Sequence, residues 1–481
     1  MNLGVDSGKQ EEVMMKRVCC RWFSPVPAGM VALIMVSLGT AQAQVTRSWN
    51  NAAGGNWSLG SNWDVGTTPS SGDKIIFNIA GTYTATNDLV GFQPTTAVQG
   101  FQMKASGGTV TLTGNSFTLA GSTEVINTGT VVVHNNVTLV SGCSFVIGGT
   151  ATFTGILSGS SGSYTLIKKT TGTLVLNNDN NSFGCKLEMR EGVLEVTSIG
   201  NTGVNSALGS GSTITISHST VNATLRLNNT TAAQSTSRQV LIGNNQAAGT
   251  RTSSTIINNN GNPAYSLTFA NATFNPTQAS VDIPMALVLG GVNSGDNRIS
   301  GKIQDNSASG PVSLTKTNSG TWILNGINTY TGLTSVNQGT LGGAGRVAGN
   351  MVVASNAKLS PGSSAGAQGT FSVGGDLALN NNAVYEFDAT DASVNDTVAV
   401  TGSLTLGSGI VLNLNTSVQQ ISPRDFTLFT FSGPPPTIDN WVINRIDSKW
   451  YGTPQVEVVG NAVVLKGMGY IPPRGSVISI E

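Results

Sequence analysis

Leu314-Thr-Lys-Thr-Asn-Ser-Gly-Thr-Trp-Ile-Leu-Asn325 decides the fold, because the chain writes it twice. The other copy is Leu166-Ile-Lys-Lys-Thr-Thr-Gly-Thr-Leu-Val-Leu-Asn177, with Lys168 aligned to Lys316, Gly172 to Gly320 and Leu176 to Leu324. The match continues through Asn180 and Asn328, then Gly184 and Gly332. After one extra residue, Gly192-Val-Leu194 meets Gly339-Thr-Leu341. Copies about 148 residues apart mark a repeat architecture. Within each copy, apolar and polar residues alternate until Gly or Asn stops them, which is the period of a half-buried strand. Leu314, Trp322 and Leu324 are therefore expected to face the core, with Thr321 and Ile323 opposed to Trp322. Gly320 and Gly332 are expected at turns that tolerate no Cβ or need positive φ.

The same pattern fills residues 49–465, as in Thr109-Val-Thr-Leu-Thr113, Thr130-Val-Val-Val-His134 and Ala223-Thr-Leu-Arg-Leu227. No window there carries helical spacing over three turns. Strands of three to five residues with Gly, Asn and Ser turns fit an all-β solenoid whose coils pair about 4.8 Å apart. An antiparallel sandwich would show longer strands and fewer glycines. With about 20–25 residues per coil, about 17–21 coils and a rod of roughly 80–100 Å follow.

Composition agrees. Of 481 residues only 10% are charged, 24 basic against 24 acidic, and 60 are Gly. There is no basic surplus for nucleic acid and no net charge to force disorder. Residues 1–43 read as a secretory signal: Lys16, Arg17 and Arg21 precede a run of about twelve apolar residues, and Ala41-Gln42-Ala43 fits the cleavage rule. The run is too short to span a bilayer, so no transmembrane segment is expected in the mature chain. Cys143 and Cys185 remain after cleavage, 42 residues apart, and read as a free packed pair more readily than a bridge.

Leu314-x-Lys-x-x-x-Gly-Thr-x-x-Leu-x-Gly-x-Asn-x-Tyr-x-Gly, ending at Gly339-Thr-Leu341, resembles the autotransporter-associated beta strand repeat. The copy ending at Leu194 is weaker, with Ser182-Phe183 in place of Thr-Tyr-Thr. Trp49, Asn56-Trp57, Asn62-Trp63-Asp64 and Asp73 are similar to the opening of such proteins, and Phe426-Thr-Leu-Phe-Thr-Phe to their terminal coil. The resemblance implies a right-handed parallel β-helix, exported, surface-displayed and adhesive. No translocator barrel is legible in the roughly 80 residues after Gly402, and Ile471 onward does not read as a barrel strand. The expected organisation is a signal peptide over 1–43, an N-terminal cap over 44–80, a β-helix over 81–465 with copies at 164–196 and 312–341, and a tail over 466–481.

Chemistry is sparse. His134 and His218 are the only histidines and read as ladder or surface residues. Gly362-Ser-Ser-Ala-Gly366 and Gly343-Ala-Gly345 imitate a nucleophile elbow and a dinucleotide loop, but neither precedes a helix. Glu386, Asp388, Asp391 and Asp396 form the densest carboxylate group, read as an exposed acidic turn rather than a Ca²⁺ loop. A β-helix polysaccharide lyase would draw on Glu188, Arg190 and Glu195, which read better as a solvated charged turn. Trp49, Trp57 and Trp63 offer two roles, cover for an open core and a glycan-binding surface. No catalytic residue, metal site or cofactor is expected. The function expected is a structural or adhesive rod of the cell envelope or matrix, with polysaccharide or other envelope components as partners.

Overall fold

The computed structural model describes residues 45–94, 100–104, 107–119, 124–218, 221–243, 253–270, 273–276, 283–307, 309–389, 394–415 and 420–471. The signal segment and Asp391 lie outside them. The described chain is almost wholly β, with one 3-10 turn at Gly60–Asn62 and no α-helix. Short strands stack in parallel, in register, into three faces. One long face of fifteen strands runs from Gly55–Asn56 to Leu404–Leu406. A face of ten strands, Thr46–Ser48 to Phe274–Pro276, precedes it along each early coil. Nine strands, Gln234–Thr236 to Val442–Arg445, follow it along each later coil. This is a parallel β-helix.

The strand alternation is what the sequence dictates. Val312–Lys316 has Val312, Leu314 and Lys316 buried and Ser313 and Thr315 half-buried. Stacking each inward residue on its equivalents one coil away gives apolar columns, such as Trp322, Leu341 and Leu359. Fifteen described coils, fewer than expected, span about 70 Å at about 4.8 Å each. The difference arises because coils stop before residue 465. Ile421–Thr430 pairs parallel with the preceding coil but antiparallel with Ala462–Tyr470, which also pairs antiparallel with Gln455–Val459. The stretch 437–451 contains Val442–Arg445, which adds one more parallel strand.

Leu314, Trp322 and Leu324 are buried as expected. A Cβ on Gly320 would lie 2.6 Å from the Asn293 carbonyl oxygen, and one on Gly332 would collide with the backbone of Val312. Ile323 departs from the simple pattern, since it is buried although it alternates with its inward neighbours. Residues 362–368 fold back along the outside of the coil. Asn325 Nδ2 donates to Ser363 O at 3.0 Å, and Ala365 N donates to Asp296 Oδ1 at 3.1 Å. The serine-glycine stretch that imitates a nucleophile elbow is this strap.

Two copies of the repeat occupy different corners of the coil. Lys168 closes a strand of the ten-stranded face before the chain enters the long face. Lys316 closes a strand of the long face before the chain enters the nine-stranded one. The copies are also offset by one residue. Asn328 accepts from Ile303 N at 2.9 Å and donates to Arg346 O at 2.8 Å. In the first copy Asn181, not the aligned Asn180, does this, accepting from Leu157 N at 2.7 Å and donating to Ala207 O at 2.9 Å.

Candidate functional site

The repeat's lysine is its chemical centre. Lys316 is fully buried, and its Nζ donates to Thr317 O (2.8 Å), Asn318 O (2.7 Å) and Gln338 O (2.9 Å). Lys168 is equally buried and donates to Gly172 O (2.6 Å), Glu191 O (2.8 Å) and Thr170 O. An ammonium has three donors and no acceptor, so three carbonyls saturate it. In both copies the third carbonyl belongs to the next coil, and the lysine staples two coils at a corner. Burial pushes each lysine down to about 8, so both carry their charge at neutral pH. The staple also explains the glycine of Gly-x-Leu. A Cβ on Gly192 would lie 2.5 Å from Lys168 Nζ, and one on Gly339 2.6 Å from Lys316 Nζ, with φ of +75° and +67°. Arg238 repeats the device, donating to Gly200 O (2.9 Å) and Leu208 O (2.9 Å) while 1% exposed.

The three candidate tryptophans sit inside the first coils. Trp49, Trp57 and Trp63 are 1%, 0% and 1% exposed, with ring centroids 5.2 Å (Trp49–Trp63) and 6.1 Å (Trp57–Trp63) apart and Phe77 against all three. No indole face is open for a sugar ring to stack on. Their neighbouring amides are also engaged: Asn62 Nδ2 donates to Asn56 O at 2.8 Å, and Asn51 Nδ2 to Asn62 Oδ1 at 2.8 Å.

The lyase candidates do not converge. Glu188 binds Arg190 at 2.7 Å and lies 3.5 Å from His218, on the ten-stranded face. Glu195 binds Arg226 at 3.2 Å, on the long face. His134 pairs with Thr154 one coil away at 2.6 Å. The carboxylate group is not an exposed turn: Asp388 and Asp396 are buried, because the chain beyond the strand Val384–Phe387 turns inward beside Tyr385. Asp396 accepts from Gly369 N (2.9 Å) and Asp388 N (3.0 Å). Burial, then the neighbouring Asp388, pushes Asp396 up to about 9, while burial lifts Asp388 to about 6. Glu386 faces outward and pairs with Lys358 at 2.7 Å. No group of three or more His, Cys, Asp or Glu able to hold a metal occurs among the described residues. Cys143 and Cys185 are buried free thiols. Cys143 stacks on Leu166 and Leu166 on Leu187, so two coil steps of about 4.8 Å separate the cysteines' levels, beyond disulfide reach.

Comparison with known sequences fits this architecture. The family described as passenger-associated-transport-repeat matches residues 104–133 and 314–342. The second match coincides with the Lys316 copy. The first falls on a stretch whose repeat character sequence reading did not single out. The chain thus carries two segments similar to passenger-associated transport repeats. It is similar to the Adhesin BmaC autotransporter of Brucella suis biovar 1 (strain 1330), 47% identical over 55 residues, which is 11% of this chain and 2% of that protein. No helix among the described residues is long and apolar enough to cross a membrane.

Proposed function

We propose that the protein is an exported, non-catalytic adhesive β-solenoid displayed at the cell surface or in the surrounding matrix. The observation that carries this reading is the lysine-stapled passenger repeat built into a parallel β-helix. The short similarity to an adhesin passenger supports the same role. So does the surface: charged residues are 10% of the chain, and some pair between neighbouring coils, as Lys358 does with Glu386 and Arg226 with Glu195. A stiff rod with a polar, charge-poor exterior offers a long contact area. Fractionation of the producing cells tests the location. Protease added to intact cells should remove the chain from the surface fraction, or culture medium should contain it. Recovery of the intact chain only from the cytoplasm would refute export.

A further inference from the structure

We propose that the corner following the long face over residues 319–407 is a binding groove for an unbranched, uncharged glycan lying along the rod axis. This rests on the adhesive reading and gives it a ligand class. Two clefts, of about 470 Å³ and 430 Å³, share Ser355 and so run on from one another across successive coils. Their lining carries Ser319, Asn337, Gln338, Asn380 and Thr405, all exposed, and none of these side chains has a hydrogen-bond partner within the protein. The contrast with the interior is sharp. Buried Asn258, Asn293, Asn297 and Asn328 all spend their amides on the fold itself. Asn381 and Asn356 in the same lining are engaged, by Ser408 N and Ser355, but the amides of Asn337, Gln338 and Asn380 are surplus to folding, and an amide that both donates and accepts is suited to vicinal hydroxyls.

The ligand's charge follows from the lining. No described residue lining either cleft is acidic, and the one cation, Lys358, is already held by Glu386 at 2.7 Å. A polyanion would find no free counter-charge. The ligand's shape follows from the coil. The free amides of Asn337 and Asn380 stand two coil steps, about 9.6 Å, apart, with Ala354 on the coil between them, close to the length two pyranoses add to an extended glycan. The corner is rigid, because left-handed residues turn it at the same level in four coils: Asn356, Asn382, Gly409 and Asn440. Asn356 N donates to Asn382 O (3.1 Å), Asn382 N to Ser408 O (3.0 Å) and Gly409 N to Asp439 O (3.2 Å). A preset spacing lowers the ordering cost of binding.

Affinity electrophoresis of the full chain through gels holding a linear neutral glucan, a linear mannan, a branched glucan or a polyuronate tests this. Wild type should be retarded by at least one linear neutral polymer. Asn337→Ala with Asn380→Ala should weaken that retardation about tenfold or more and leave the melting temperature unchanged, since both side chains are exposed and unbonded. Loss on Trp57→Ala alone would reflect unfolding, which circular dichroism would show. Retention by the polyuronate only, equal retention of the double variant, or no retention by any linear neutral polymer would overturn the groove. Bead attachment separates the two readings. Double-variant beads that attach like wild type sink the groove and leave adhesion standing, whereas wild-type beads that fail to attach sink the adhesive reading.

Discussion

Replacing Lys316 by Met removes the staple while keeping most of its apolar stem. Three buried carbonyls, on Thr317, Asn318 and Gln338, lose their donor together. At about 2 kcal/mol for each charge-assisted bond, the loss is about 6 kcal/mol. Against this, the ammonium no longer has to be desolvated. A fall from 10.5 to about 8 corresponds to about 3 kcal/mol. The net destabilisation is therefore about 3 kcal/mol. It should fall on one corner, because coils contact only their neighbours. Hydrogen exchange read by mass spectrometry should show faster exchange in peptides covering 312–342, with peptides covering 164–196 unchanged. Lys168→Met should give the mirror image. Gly339→Ala alone should also destabilise that corner, through a Cβ set 2.6 Å from Nζ and a backbone at φ +67°. In the Lys316→Met background the penalty should persist, because the carbonyl oxygens of Asn318 and Gly320, each closer to that Cβ than Nζ is, stay in place. Unchanged exchange at 312–342 in Lys316→Met would refute the staple.

Three further outcomes are expected. Leu324→Asp buries an unpaired carboxylate between coils and should cost several kcal/mol, with protease cutting near residue 324, while Thr321→Asp should be mild. Ile323→Asp should be nearly as damaging as Leu324→Asp, because Ile323 is buried too, as a melting series would show. Asp388 and Asp396 titrate higher in the folded chain, at about 6 and about 9, than their ordinary 3.8. The unfolded chain therefore releases its protons first, and their stabilising contribution is full below about pH 4 and shrinks as pH rises towards 9. Urea melts from pH 4 to 9 should show that decline, and Asp388→Asn should flatten it.

Much of the fold was legible because a β-helix writes its period directly. Alternation in Val312–Lys316 and Thr321–Leu324, and glycines where coils approach, are local consequences of stacking. What stayed hidden depends on contacts distant in sequence. A lysine at a strand end reads as a solvated charge, and only the carbonyl of Gln338, 22 residues on, makes Lys316 a staple. Ile323 reads as outward until Ala365 reaches back to Asp296, 69 residues away. Asp388 and Asp396 look like an exposed turn because polarity alone does not reveal an inward bend. The tryptophans read as core cover before glycan surface, and they pack against one another in the first coils. The antiparallel ending was invisible because direction of pairing leaves no mark on the local sequence of Ala462–Tyr470.

Adhesion by the folded rod is the claim on which the functional account stands, and bead attachment measures it. Beads coated with purified residues 44–481 are allowed to settle on cells and matrix of the producing organism, beside beads coated with the same chain after heat unfolding. Folded chain should hold several-fold more beads against flow, and soluble folded chain added in excess should release them. Equal attachment of folded and unfolded coats, or none by either, would contradict an adhesive solenoid.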